Sequence, residues 1–204
     1  MLLVNLFSNP LYFIIFLVAI LAAITIHESA HAWAALKLGD PTAKLEGRLT
    51  LNPFAHLDFL GTIFLLIAGF GWGKPVPINP YNFKNPKRDE LLSSLAGPAS
   101  NLALAIVLGI IYRFLPQQDL IANTLAIIIY FNLVLMVFNL LPVPPLDGSK
   151  ILRYFLSEES YYRIQQLGIP LLFVLLLIIF LFSDIFRQII SSIFNLIVGG
   201  GFSF

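Results

Sequence analysis

Two histidines and a glutamate form the most chemically informative cluster in the sequence. His27, Glu28 and His31 stand in the pattern H-E-x-x-H within a long apolar stretch. On a helix, positions i and i+4 lie on one face, so both imidazoles can bind one metal ion. Zinc held in this way lowers the pKa of a bound water to about 7, and an adjacent glutamate can take its proton. The pattern therefore predicts a hydrolytic zinc site, with His27 and His31 as ligands and Glu28 as the base.

A hydrogen-bonded core residue is the ordinary interpretation of a single histidine in an apolar helix. Here three ionisable residues share one apolar segment, and each is costly in hydrocarbon without a function. A hydrolytic zinc site also needs a third protein ligand and an open position. Asp147 is the best candidate, because a carboxylate suits zinc and the preceding turn, residues 142–145, is rich in proline.

The composition places these residues in a membrane protein. The chain is 58% hydrophobic and only 11% charged, whereas soluble domains are about 25% charged. Its apolar residues lie in long runs, which indicates an environment in the lipid bilayer. The absence of cysteine excludes disulfides and thiolate ligands, and a net charge of +1 does not suggest a nucleic-acid partner. We expect one integral-membrane domain over residues 1–204, whose first apolar segment is retained rather than cleaved as a signal.

The predicted fold is an all-α polytopic bundle with about four transmembrane helices. The predicted spans cover residues 12–38, 91–115, 120–141 and about 167–182, and Gly97-Pro98 is expected to break the second early. Residues 57–70 reach only about 20 Å as a helix, against about 30 Å of hydrocarbon, so this segment is expected to re-enter rather than cross. Residues 185–198 are predicted to form a C-terminal amphipathic helix, at the interface or packed on the bundle.

Residues 43–51 are predicted to form a short β element. Apolar and polar residues alternate there with a period of two. The edge of such a strand could take an unwound substrate segment by strand addition, and a structural hairpin beside the site is the equal alternative.

The distribution of basic residues predicts the orientation. If residues 57–70 re-enter, ten of the twelve lysines and arginines lie on one side and two on the other. The positive-inside rule then places residues 37–88 in the cytoplasm and the N-terminus outside. We therefore expect a multi-pass protein of the cell membrane whose active site lies towards the cytoplasmic side. The ten are Lys37, Lys44, Arg48, Lys74, Lys84, Lys87, Arg88, Lys150, Arg153 and Arg163, against Arg113 and Arg187.

Three motifs together resemble the site-2 protease family of intramembrane zinc metalloproteases. They are residues 27–31 (HESAH), 97–101 (GPASN) and 139–148 (NLLPVPPLDG), in the family's order within about residues 20–155. Residues 52–58 resemble a stretch of the compact prokaryotic members, and the chain shows no PDZ domain and no room for a CBS domain. The resemblance implies His27, His31 and Asp147 as ligands of one Zn²⁺, Glu28 as the catalytic residue and single-span membrane proteins as substrates.

Four other polar residues near these motifs have interpretations of their own. Asn101 could donate to a substrate oxyanion, contact the metal ligands from behind or bond a neighbouring helix. Asn132 is interpreted as a bond between helices, and Asn139 as a residue that orients the site. His56 could be a fourth ligand, a partner behind the ligands or an anchor of its loop.

Two other function classes could use the same residues. A metal-ion transporter could use His27, His31 and Asp147 as a transit site, although such proteins often carry paired repeats, and none is visible here. A catalytically silent scaffold for a membrane partner is the third hypothesis. Substrate identity and oligomeric state are left open by the sequence.

Overall fold

The computed structural model describes residues 8–68, 71–116 and 119–200, and these are mostly helical. Short 3-10 helices occur at Pro53–His56 and Pro80–Asn82. The predicted all-α architecture is confirmed for this part of the chain. Its helices are α1 (Pro10–Leu38), α2 (Thr42–Leu45), α3 (Phe59–Ala68), α4 (Pro86–Tyr112), α5 (Leu120–Asn139), α6 (Ser149–Phe155), α7 (Glu158–Gln166), α8 (Gly168–Leu181) and α9 (Ser183–Val198).

Three helices in the described ranges, α1, α4 and α5, are each long and apolar enough to cross a membrane. They confirm three of the four predicted spans. The helix α8 has 14 residues and joins α7 at a bend of 65°. Because α8 reaches only about 21 Å at 1.5 Å per residue, it becomes a fourth span only together with α7. The protein is therefore a multi-pass membrane protein.

The helix α4 passes through Gly97-Pro98 without interruption, so the predicted break in the second span is wrong. A proline removes one helical hydrogen bond, but membrane helices tolerate this loss when neighbouring helices pack around the site. Pro98 is buried where α4 packs between α1 and α5. That packing holds the helix together across the pair.

The bundle core lies between α4, α5 and α9. Small residues such as Ala105, Ala122 and Ala126 let these helices approach closely, and Ile129 and Phe194 fill the space between them. The amphipathic helix predicted at the C-terminus is confirmed as α9. It packs its apolar face on the bundle, the second of the two positions expected for it.

The two ends of the segment between residues 57 and 73 lie next to each other. Leu57 and Gly73 form an isolated antiparallel β-bridge, and the Lys74 N–H donates to the His56 carbonyl at 2.9 Å. The helix α3 between them has only ten residues. This geometry is the one that a re-entrant segment requires, since a crossing segment would separate its ends by the hydrocarbon thickness. Residues 69 and 70 of the predicted segment lie outside the described residues.

No strand forms over residues 43–51, so the predicted β element is wrong. The Asp40 carboxylate accepts hydrogen bonds from the N–H and the hydroxyl of Thr42, and these bonds start the short helix α2. Gly47, at φ 69°, ends it in the left-handed conformation that glycine adopts without strain. Local turn chemistry therefore overrides the alternating pattern.

The burial of side chains in this stretch also departs from the alternation. Leu45, one of the apolar residues of the alternation, is 79% exposed, whereas Arg48, one of its polar residues, is 6% exposed. The Arg48 guanidinium turns inwards because it donates to the Lys74 carbonyl at 2.6 Å. Residues 43–51 consequently offer no strand edge for a substrate.

Candidate metal centre

Three donor atoms from two parts of the chain converge at one point. His27 and His31 project from α1, and Asp147 comes from the turn between α5 and α6. The two Nε2 atoms are 3.0 Å apart, and Asp147 Oδ2 lies 3.0 Å from the first and 3.2 Å from the second. Ligand atoms about 2.0–2.1 Å from one tetrahedral zinc are about 3.3 Å from each other. The triangle therefore has the dimensions of a zinc site.

Hydrogen bonds on the far side of each imidazole determine which nitrogen carries the proton. His31 Nδ1 lies 2.8 Å from the Ser93 carbonyl, which only accepts, so Nδ1 donates. His27 Nδ1 lies 2.6 Å from Asn101 Oδ1. Because the Asn101 amide nitrogen already donates to two other oxygens, its own oxygen accepts from His27. Both Nε2 atoms therefore present lone pairs to Asp147.

Three electron-pair donors that face one another at this distance repel one another, and a cation between them would relieve that repulsion. Asp147 Oδ2 is buried and has no hydrogen-bond partner among the described residues. An unpaired buried carboxylate oxygen is costly, because it has lost its water and gained nothing in return. His27 and His31 are buried as well. Two imidazoles and one carboxylate suit zinc, so the residues present fit this ion.

Asn101 stands behind His27, one of the roles considered for it, and holds that side chain in place. It is fully buried, and its amide nitrogen donates to the Ala23 carbonyl of α1 at 3.0 Å and to Asn132 Oδ1 of α5 at 2.8 Å. The interhelical bonds considered for Asn101 and Asn132 are thus present. Both amide hydrogens of Asn101 are engaged, which leaves none for a substrate oxyanion. Asn101 follows Gly97 of the GPASN motif by four residues, so both lie on one face of α4. Gly97 lies against the rings of His27 and His31, and this spacing was the sequence signal that Asn101 faces the histidines as well.

His56 lies outside the group of described side chains that could hold a metal ion. Its ring is fully buried, and Nε2 is 2.9 Å from the Thr50 carbonyl. Its own carbonyl accepts from Lys74. These contacts correspond to the loop-anchoring alternative.

Asn139 supports the turn that carries Asp147 through its backbone. Its carbonyl accepts from the Gly148 N–H at 2.7 Å and so closes the turn after α5. Its side chain donates to the Leu135 carbonyl within α5. The orienting contribution of Asn139 is therefore a main-chain contact next to Asp147.

Glu28 is half-buried beside the irregular segment 73–79. Its Oε2 accepts a hydrogen bond from the Val76 N–H at 3.0 Å. This segment is fixed in turn, since the Asn79 N–H donates to the Asp40 carboxylate at 2.7 Å. Glu28 is therefore held in a defined orientation one position along α1 from His27.

Known proteins with similar sequences are named as zinc metalloproteases. The model of peptidase family M50 matches residues 115–180. The chain is 47% identical over 144 residues to "Putative zinc metalloprotease YwhC" of Bacillus subtilis, an alignment that covers 66% of each chain. It is 34% identical over 176 residues to "Putative zinc metalloprotease Rip2" of Mycobacterium tuberculosis, covering 81% of this chain and 67% of that protein. It therefore spans about two thirds of the length of these relatives. No solved structure matches the chain significantly.

Proposed function

The chain belongs to peptidase family M50, the site-2 protease family of zinc metalloproteases, and on this premise we propose that it cleaves substrates within the membrane. The reaction is hydrolysis of a peptide bond within or near the transmembrane segment of a single-span membrane protein. One observation carries the proposal. The donor atoms of His27 and His31 meet Asp147 while both histidines belong to α1, a helix apolar and long enough to cross a membrane.

In this proposal His27, His31 and Asp147 hold one zinc ion, and Glu28 is the catalytic residue. Zinc, when bound, polarises the scissile carbonyl and acidifies the attacking water. Glu28 takes a proton from that water and passes it to the leaving amine nitrogen. The water oxygen joins the carbonyl carbon as the C–N bond breaks, so the products are a carboxylate and an amine. The Val76 N–H keeps the Glu28 carboxylate oriented during this transfer.

The site is proposed to lie towards the cytoplasmic side. His31 precedes the end of α1 at Leu38 by seven residues, or about 10 Å of helix. The adjacent ends of the segment 57–73 favour a re-entrant path, and on that path ten of the twelve basic residues share one side. The positive-inside rule makes that side cytoplasmic.

Single-cysteine labelling tests this orientation, because the chain contains no cysteine of its own. Lys84→Cys and Asp184→Cys place one thiol each at exposed positions on opposite predicted sides. In intact cells, a membrane-impermeant maleimide is expected to label Asp184→Cys and to label Lys84→Cys only after the membrane is permeabilised. The reverse pattern would invert the proposed topology, and labelling of both in intact cells would rule out opposite sides.

Cleavage of a model single-span protein by the purified chain in detergent tests the function. We expect two fragments whose masses place the cut within or near the substrate's apolar segment. A zinc chelator should abolish the reaction, and added zinc should restore it, because the three proposed ligands would otherwise face one another without a cation. Zinc transport by proteoliposomes without any cleavage would instead support the transporter hypothesis. Cleavage that survives complete zinc removal would contradict the proposed mechanism.

A further inference from the structure

A buried ion-pair cluster lies close to the metal centre but outside it. Glu90, near the start of α4, is only 5% exposed. Its Oε1 is 2.8 Å from Lys150 Nζ, and its Oε2 pairs with the Arg153 guanidinium. Both cations belong to α6, the short helix that follows Asp147. A carboxylate buried with two cations ties α6 to α4 more firmly than exposed ion pairs do.

One face of α4 carries this carboxylate together with the groups that contact the histidines. Positions 90, 93, 97 and 101 are separated by three, four and four residues, the spacing of a single helical face. The Ser93 carbonyl holds His31, and the Asn101 side chain holds His27. Glu90 occupies the remaining place on this face, where it contacts α6, the helix that follows the third donor.

The link from α6 to Asp147 is direct. The Lys150 N–H donates to the Asp147 carbonyl at 3.0 Å, and the Ser149 N–H donates to the Leu146 carbonyl at 3.0 Å. These turn hydrogen bonds join Asp147 to the start of α6 at Ser149, so a tilt of α6 displaces the carboxylate. Arg153 has one other carboxylate partner among the described residues, Glu158 at 3.5 Å, which is 59% exposed and holds it less firmly.

We propose that Glu90 is a positioning residue of the metal centre. By binding Lys150 and Arg153 it fixes α6 on α4, and it thereby sets Asp147 opposite the two histidines. In this arrangement one face of α4 positions all three donors. The inference rests on the proposed role of Asp147 as a zinc ligand, and it concerns zinc binding rather than the chemical step.

A double-mutant cycle on zinc affinity tests the proposal. Affinity is measured by competition with chelators for purified wild type, Glu90→Gln, Asp147→Ala and the double variant. Glu90→Gln is expected to weaken zinc binding by about tenfold, the lower end of the effect of groups behind metal ligands. In the Asp147→Ala background it should have no further effect, because Glu90 acts only through Asp147.

Matched variants separate this role from a general effect on folding. Asn101→Ala should weaken zinc binding in both backgrounds, since it acts through His27. Glu159→Gln removes an exposed carboxylate paired with Arg163 and should change nothing. Glu90→Asp, which keeps the charge, should recover part of the affinity. If Glu90→Gln cannot be purified, Arg153→Met takes its place in the cycle.

Two results would overturn the proposal. One is an unchanged zinc affinity in Glu90→Gln or in its replacement Arg153→Met. The other is an equal loss with and without Asp147, because that would indicate loosening of the whole bundle. An Asp147→Ala variant that binds zinc like wild type would contradict the ligand assignment itself. The single Asp147→Ala variant gives this result, so it is distinguished from a failure of the role proposed for Glu90.

Discussion

Replacing Glu28 with glutamine is expected to lower the rate of substrate cleavage by at least about a hundredfold, while the purified protein retains its zinc. Glutamine has nearly the same shape, and its amide oxygen can still accept the hydrogen bond from Val76. It cannot take a proton from water at neutral pH, so the attacking water loses its base. None of the three donor atoms that meet at the metal centre belongs to Glu28, so zinc content should stay near that of wild type.

Glu46→Gln is the matched control for this experiment, because Glu46 is an exposed carboxylate in the turn after α2. It should cleave the model substrate at the wild-type rate and bind the same amount of zinc. Cleavage by Glu28→Gln at the wild-type rate would contradict the proposed role of Glu28. Loss of both zinc and cleavage would show instead that Glu28 contributes to metal binding, so the zinc measurement distinguishes the two roles.

The zinc site was the easiest feature to predict from the sequence, because its chemistry restricts both residue types and spacing. Two imidazoles four residues apart on α1 can reach one ion, and the apolar surroundings make an ordinary role for His27 and His31 costly. Asp147 followed from the need for a third ligand. The structure brings these three side chains together, as the sequence predicted, while their functions remain proposals.

The two incorrect structural predictions, the β element and the break in the second span, share a physical cause. The alternation in residues 43–51 reported only side-chain polarity, whereas the conformation depends on hydrogen bonds from Asp40 and on Gly47. Pro98 likewise signalled a break that the packing of α4 between its neighbours prevents. In both places contacts outside the local pattern decide the structure, and a single sequence does not display them.

The partner that stands behind each histidine escaped prediction for a related reason. Asn101 and His27 are separated by 74 residues, and Ser93 and His31 by 62. A sequence shows an asparagine in an apolar span and indicates that it bonds something, but not which partner. The partner follows only from the close packing of α1 on α4. That packing also makes Gly97, a residue without a side chain, one of the most restrictive positions in the site.

Replacing Gly97 with alanine is expected to weaken zinc binding by about a hundredfold, the upper end of the effect of groups behind metal ligands. A Cβ atom at this position would lie 2.4 Å from His31 Nε2 and 2.8 Å from His27 Cε1, well inside van der Waals contact. The rings cannot move aside freely, because the Nδ1 of each is held by α4 itself. The clash therefore separates α1 from α4 or turns His31 away from Asp147.

Gly109→Ala is the control for this effect, because it introduces an equally tight contact on the same helix but away from the metal. Its Cβ would lie 2.2 Å from Ile197 Cγ2 on α9. Both substitutions favour the helix by about 1 kcal/mol through intrinsic propensity, so a loss in either comes from the new contact. We expect Gly109→Ala to lower thermal stability and keep zinc affinity, and Gly97→Ala to lose zinc. If Gly97→Ala bound zinc as tightly as wild type, the close approach of α4 to α1 would not determine zinc affinity. The contacts of Ser93 and Asn101 with the histidines would then have to persist while α4 shifts away from α1.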